Sequence, residues 1–192
     1  MHTAFQFNEY VLKRQAIALT GKLRFYNQQG VLVLFSEQKM FKLRDDIRVF
    51  ADEQKTQEVL AIKARQIADF SAAFDVVDST SGEKVGVLRR KGLKSILRDE
   101  WDVLDAQDQV IGSLFEDNMT LAMVRRLVAG SFLPQNYDLT INQERVADLK
   151  QRFNLLRYEM DLDFSMDTAG RLDRRLGLAA AALLAIVEGR QE

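Results

Sequence analysis

The sequence predicts a mainly β protein, a closed twelve-stranded antiparallel barrel built around a central apolar C-terminal helix. Three observations predict it: period-two alternation in several segments, a hairpin unit that repeats along the chain, and one helix-forming stretch with no polar face. The alternation is clearest from Arg157 to Met166. There Tyr158, Met160, Leu162, Phe164 and Met166 fall on one face of a strand, and Arg157, Glu159, Asp161, Asp163 and Ser165 on the other. Lys22 to Asn27 faces Val31 to Ser36 across Gln28, Gln29 and Gly30. Ala73 to Asp78 faces Lys84 to Arg89 across a turn containing Ser79, Ser81 and Gly82. Both read as β-hairpins.

The first strands of successive hairpins open at Leu23, Ile47, Phe74, Trp101 and Tyr137. The widest gap, before Tyr137, holds an insert from Asn118 to Val128 in which Leu121, Val124, Leu127 and Val128 share a helical stripe. Five hairpins, one strand at Glu9 to Lys13 before them and the Arg157 to Met166 strand after them make twelve. Closure follows because an open sheet of that size leaves two long edges free to pair with other chains. From Asp173 to Glu188 the chain reads DRRLGLAAAALLAIVE. A helix apolar on every side needs burial in protein or lipid. The apolar run from Leu176 to Val187 is roughly 18 Å long at 1.5 Å per residue, whereas a bilayer core needs about 20 apolar residues. Burial in protein is the expectation, and a barrel wider than eight strands has interior space for such a helix.

Composition limits the chemistry. The 192 residues carry 27 Lys and Arg against 28 Asp and Glu, a formal net charge of −1, so nothing chain-wide attracts nucleic acid or an anionic membrane. With no Cys there is no disulfide framework, thiolate nucleophile or Cys-ligated metal. The one His is His2, expected at a mobile terminus, which excludes His-based triads and multi-His metal sites within the chain. No cofactor is expected. Met1 to Asn8 has neither the basic region nor the apolar run of a secretory signal. A reducing, cytoplasmic setting is the expectation, with peripheral attachment at the inner membrane surface.

The hairpin units KLRFYNQQGVLVLF, DIRVFADEQKTQEVLAIK and FDVVDSTSGEKVGVLRRK, followed by the apolar helix, resemble the tubby C-terminal-like fold. Tubby proteins, plant LURP-one-related proteins and phospholipid scramblases share that fold. The stretches RRKGLKSILRDEWDVLD, LPQNYDLTI and DRRLGLAAAALLAIVEGRQ are similar to a bacterial branch of the group. The resemblance covers about residues 9 to 190 and implies a single tubby-like domain over 1–192. It carries fold more strongly than activity: tubby proteins bind phosphoinositides, while scramblases are linked to calcium-dependent lipid movement.

Lys84, Arg89, Arg90, Lys91, Lys94 and Arg98 lie in a segment with no acidic residue, the strongest local charge feature of the chain. Arg89, Arg90, Lys91, Lys94 and Arg98 are therefore candidate ligands for an anion, such as a phosphate or lipid headgroup. The competing reading makes them a solvated rim paired with Asp99, Glu100, Asp102 and Asp105. The scramblase resemblance directs attention to Asp161, Asp163 and Asp167, weak candidates for a metal. Met166 and Leu172 stand where an EF-hand-like loop needs Gly and Glu, so calcium is not expected. Arg171, Arg174 and Arg175 sit where the helix dipole disfavours cations, and are expected to latch onto Asp167, Asp173 or carboxylates at the barrel rim. Trp101 reads as a core or rim anchor. Glu116 and Asp117, as strand neighbours, point to opposite faces and do not form an acid and base pair. No nucleophile and base constellation is visible. The leading expectation is a non-enzymatic module for an anionic or phosphate-bearing ligand at a membrane surface; the alternative is a protein-interaction or structural domain without a small ligand.

Overall fold

The computed structural model describes residues 1–15, 20–39, 46–65, 72–91, 100–117, 135–152 and 157–188. Twelve strands follow one another in a meander: β1 (Glu9–Gln15), β2 (Thr20–Asn27), β3 (Leu32–Lys39), β4 (Ile47–Phe50), β5 (Glu58–Ala64), β6 (Ala73–Asp78), β7 (Lys84–Arg90), β8 (Glu100–Leu104), β9 (Val110–Glu116), β10 (Asn136–Ile141), β11 (Glu144–Arg152) and β12 (Arg157–Asp163). Each strand pairs antiparallel with its neighbours. β1 closes the barrel on β12, with Tyr10 opposite Leu162 and Arg14 opposite Tyr158. Helix α1 (Arg174–Glu188) follows. The predicted insert at 118–128 lies outside the described residues.

Because the strands alternate in direction, the chain's connections divide between two mouths of the barrel. The near mouth holds the N-terminal residues, the turns between β2 and β3, β4 and β5, β6 and β7, β8 and β9, and β10 and β11, and the start of α1. Asn142 and Gln143 both take positive φ in the two-residue turn from β10 to β11, which suits the right-handed twist of a hairpin. The far mouth is where β1 ends and β2 begins, and likewise β3 and β4, β5 and β6, β7 and β8, β9 and β10, and β11 and β12.

Every residue of α1 from Arg175 to Ala185 is buried, which is about three turns with no exposed face. Only a surrounding wall does that. Leu12, Phe25, Leu34, Ile62, Val76, Val103, Leu139 and Met160 supply part of the wall's inner face and join Leu178 to Ala185 in one core. The buried Ala run Ala179 to Ala182 keeps the helix thin inside the wall. Two glycines mark close approaches: a Cβ at Gly177 would overlap the ring of Phe164, and one at Gly112 would overlap the carbonyl oxygen of Thr140.

Two local expectations are corrected. β12 stops at Asp163, and Met166 is 36% exposed instead of inward, because Asp163 Oδ1 accepts from Ser165 N at 2.8 Å and Oγ at 2.6 Å and turns the chain. His2 is not loose: its Nδ1 accepts from Ala4 N at 3.2 Å and caps a 3-10 turn, Thr3–Phe5, that buries Phe5 at the near mouth. Tyr10 fixes this cap by donating to Ala4 O at 2.8 Å and accepting from Phe7 N. Burial pushes its hydroxyl pKa up to about 12.

Replacing Leu183, 1% exposed in the lumen, with Asp strands a charge among apolar groups and is expected to abolish cooperative thermal unfolding. Asp161→Ala removes an exposed ion pair to Arg152 and is expected to cost about 1 kcal/mol or less. Equal losses in thermal melts would overturn the inward and outward assignment.

Candidate functional site

Helix α1 occupies the lumen among the described residues, which turns attention to the outer surface and the mouths. At the near mouth, Asp173 precedes α1 and accepts from Arg175 N at 2.9 Å, the N-cap role that suits Asp. The next two residues are cations at the positive end of the helix dipole, and each is held by acids. Arg175, 8% exposed, reaches Asp78 at 2.7 Å, Glu83 at 3.2 Å and Asp173 at 2.6 Å. Arg174 stacks 4.8 Å from the Phe164 ring centroid and donates to Asp167 Oδ2, Asn8 Oδ1 and the Phe164 carbonyl at 3.2–3.3 Å. Arg171 pairs with Glu144. The expected latch is therefore present, and it ties the helix to β6, the β6–β7 turn and the N-terminal segment. Asp78 was not legible as a partner, since it is 97 positions from Arg175.

The candidate metal residues do not converge. Asp161 makes a two-pronged pair with Arg152 at 2.6 and 2.7 Å. Asp163 is taken by Ser165, while Asp167 accepts from the amides of Arg171 and Leu172 at 2.9 and 3.0 Å as well as from Arg174. Among the described residues no group of three or more acidic or His side chains is placed to hold a metal ion. The residues present do not fit calcium.

β7 carries the basic candidates. Lys84 begins it at the near mouth and bonds Asp108 at 2.9 Å; Arg89 and Arg90 end it at the far mouth, with Lys91 just beyond. Register places Arg89 opposite Asp102 and Arg90 opposite Trp101. Arg89 bonds Asp102 at 2.7 Å, and Lys91 bonds Glu100 at 2.5 Å and Asp102 at 3.1 Å. The Glu100 bond holds the Lys91 ammonium pKa above its usual value. Arg90 alternates inward with Gly86 and Leu88 and is half-buried. Lys94 and Arg98 lie outside the described residues. Trp101 is 2% exposed and packs 6.1 Å from Phe74, an anchor beneath Arg90. Glu116 is buried and Asp117 exposed, on opposite sides as expected.

Two features escaped the sequence reading. Arg14 is 2% exposed and stacks 5.3 Å from the Tyr158 ring; its place in the inward set Tyr10, Leu12 and Arg14 was the available signal. On the outer wall, β1, β2, β11 and β12 frame a cavity of about 750 Å³. Lys13 lies over Tyr26 in it, while Lys150 and Arg152 face Asp148, Asp161 and Asp163. Its lining charges largely neutralise one another through the Lys150–Asp148 and Arg152–Asp161 pairs.

A closed twelve-stranded antiparallel barrel filled by its own C-terminal apolar helix defines a tubby-like protein. Within that class, the chain belongs to the LURP-one-related family, whose model matches residues 32–185. The match starts at β3, so β1 and β2, which complete the barrel, precede the matched region. No curated protein and no solved structure matches the chain. No described helix is long and apolar enough to cross a membrane.

The latch makes a stability prediction. Removing one partner of a buried, hydrogen-bonded pair strands the other, so Arg175→Met is expected to cost about 3–5 kcal/mol in chemical denaturation. Burial raises the Asp78 pKa, but hydrogen bonds from Arg175 and from the Ser81 and Thr80 amides outweigh it and leave the pKa below the usual 3.8. A lowered folded-state pKa gives stability that is present above the unfolded value and lost as pH falls through the folded one. The wild-type advantage over Asp78→Asn in thermal melts should therefore shrink below about pH 4; an advantage constant with pH would overturn this assignment.

Proposed function

We propose that this chain is a non-enzymatic binding domain that takes an anionic, phosphate-bearing ligand such as a lipid headgroup, at the end of β7 and the sequence that follows it. Arg89, Arg90, Lys91, Lys94 and Arg98 are the proposed contacts. The observation that carries the reading is that segment Lys84 to Arg98, basic throughout with no acid, in a chain of formal charge −1. Membership of a tubby-like family supports it. So does the placement of α1 in the lumen, the space that larger barrels use for apolar ligands. Peripheral membrane attachment follows from the same reading.

The pairing of Arg89 with Asp102 and of Lys91 with Glu100 and Asp102 favours a second reading, in which these cations brace the rim and the domain binds protein partners instead. Flotation with vesicles of phosphatidylcholine alone or with phosphatidylserine separates them. On the first reading the protein floats only with anionic vesicles, binding falls steeply with salt because screening acts over ~8 Å at physiological ionic strength, and Arg90→Glu with Lys94→Glu abolishes it. Absence of wild-type flotation at low salt would overturn the lipid reading.

A further inference from the structure

The outer face of β10, β11, β12 and β1 carries a line of carboxylates. Register sets Asp138 directly opposite Asp148, Asp148 opposite Asp163, and Asp163 opposite Glu9, and like charges directly opposite one another across strands are destabilising. Two cations bond to this row among the described residues: Lys150 to Asp148 at 3.1 Å, and Arg145 to Asp138, at 2.6 Å, and to Asp148. Asp163 is held by the Ser165 amide and hydroxyl, and Glu9 is exposed to water. Water screens the repulsion least at Asp138 and Asp148, whose side chains are only 16% and 10% exposed.

A β-bulge builds this arrangement. The register of β10 on β11 shifts between Leu139 and Thr140, so that Leu139 lies opposite Ala147 while Thr140 lies opposite Arg145. Val146 is the extra residue and joins the core, which brings Arg145 onto the same face as Asp148. One guanidinium then serves two carboxylates. Around Asp138, β9 contributes Phe115 directly opposite and the further negative charge of Asp117. Its own strand contributes the neutral Asn136 and Thr140, and β11 contributes Asp148 and Arg145, the one cation bonded to it among the described residues. Burial, Asp117 and Asp148 outweigh Arg145 and hold the Asp138 pKa above the usual 3.8, with the two carboxyls within hydrogen-bonding reach of each other.

We propose that Asp138 and Asp148 form a proton-sharing carboxyl pair that makes the β10–β11 hairpin an acid-tightened joint in the barrel wall. With one proton on the pair, Asp138 donates a charge-assisted hydrogen bond to Asp148 across the seam. Arg145 then neutralises the charge that remains. With the proton gone, two largely buried carboxylates repel across the same seam and share that guanidinium. The turn that closes the hairpin adds to its cost, because Asn142 and Gln143 both take positive φ, where residues other than Gly are uncommon. A folded-state pKa above the unfolded one gives stability that is complete below the unfolded value and is lost as pH rises through the folded one. This is the opposite sense to Asp78, and it holds whatever ligand the domain takes.

Carbon-detected NMR of the aspartate carboxyls, together with amide hydrogen exchange read as protection factors, tests the pair between about pH 3 and 7. In the wild type the Asp138 carboxyl is expected to titrate above the usual aspartate value. Protection along β10 and β11 is expected to fall as pH rises through that midpoint, by up to about tenfold for each unit by which the pKa is raised. The β2–β3 hairpin, where Lys22 stands opposite Glu37, is the internal reference and is expected to show no such fall. Asp138→Asn cannot ionise and is expected to keep β10 and β11 protected across the range, while in Asp148→Asn the Asp138 midpoint is expected to return toward its ordinary value. An Asp138 midpoint at or below that value in the wild type would overturn the proposal. So would a midpoint that stays raised in Asp148→Asn, since burial would then account for it without the pair. A loss of protection that Asp138→Asn retains in full, or that β2 and β3 match, would overturn the joint.

Discussion

The structure depends on one mutual burial: a helix that is apolar on all sides and a barrel too wide to fill itself. Neither is stable alone. A twelve-stranded wall closes around more space than its inward side chains occupy, and a helix with no polar face cannot rest on a surface. Fully burying a side chain such as Leu176, Leu178, Leu183 or Leu184 contributes about 2 kcal/mol, on the scale of a domain's net stability of ~5–15 kcal/mol when summed. Closure also removes the sheet edges that would otherwise template aggregation.

Filling the lumen has consequences for function. The outer wall and the mouths are the surfaces left for contact, and the near mouth is closed by specific packing. The near mouth is sealed by the turn around Phe5, by Tyr10 and Phe164 in edge-to-face contact, and by the Arg174 and Arg175 networks. Its turns are polar and acidic. The far mouth is where β7 ends with Arg89 and Arg90. The fold thus anchors its helix at the mouth opposite the one where β7 ends.

Cations at a helix N-terminus are unfavourable by the dipole alone, and the protein uses that conflict. Arg175 is satisfied only when Asp78 of β6, Glu83 of the following turn and Asp173 stand around it, so the helix has one preferred depth and rotation in the barrel. The apolar stripe by itself does not specify this, because Ala and Leu slide past one another at little cost compared with a misplaced buried charge.

How much of this was legible in the sequence follows from the range of the interactions. Strand identity and facing are local, set by residue type and a period of two, and so β2, β3, β6 and β7 were readable nearly to their ends. The need to bury α1 was readable from DRRLGLAAAALLAIVE alone, and closure followed from strand number. Met166 was misplaced because the Ser165 amide donates to the Asp163 carboxylate and ends the strand earlier than alternation did. The partners of charged groups were legible only where they were near in sequence, as for Arg175 with Asp173. Asp78 with Arg175, Asp102 with Arg89, and Asp108 with Arg65 depend on register and on alternating strand direction around a closed ring. The sequence by itself determined which face of most strands turns inward and that a helix must be enclosed, because side-chain chemistry and backbone period act locally. Only the tertiary structure decided which charges meet and how the helix is anchored at one mouth, because electrostatics acts through space between residues that the chain holds far apart.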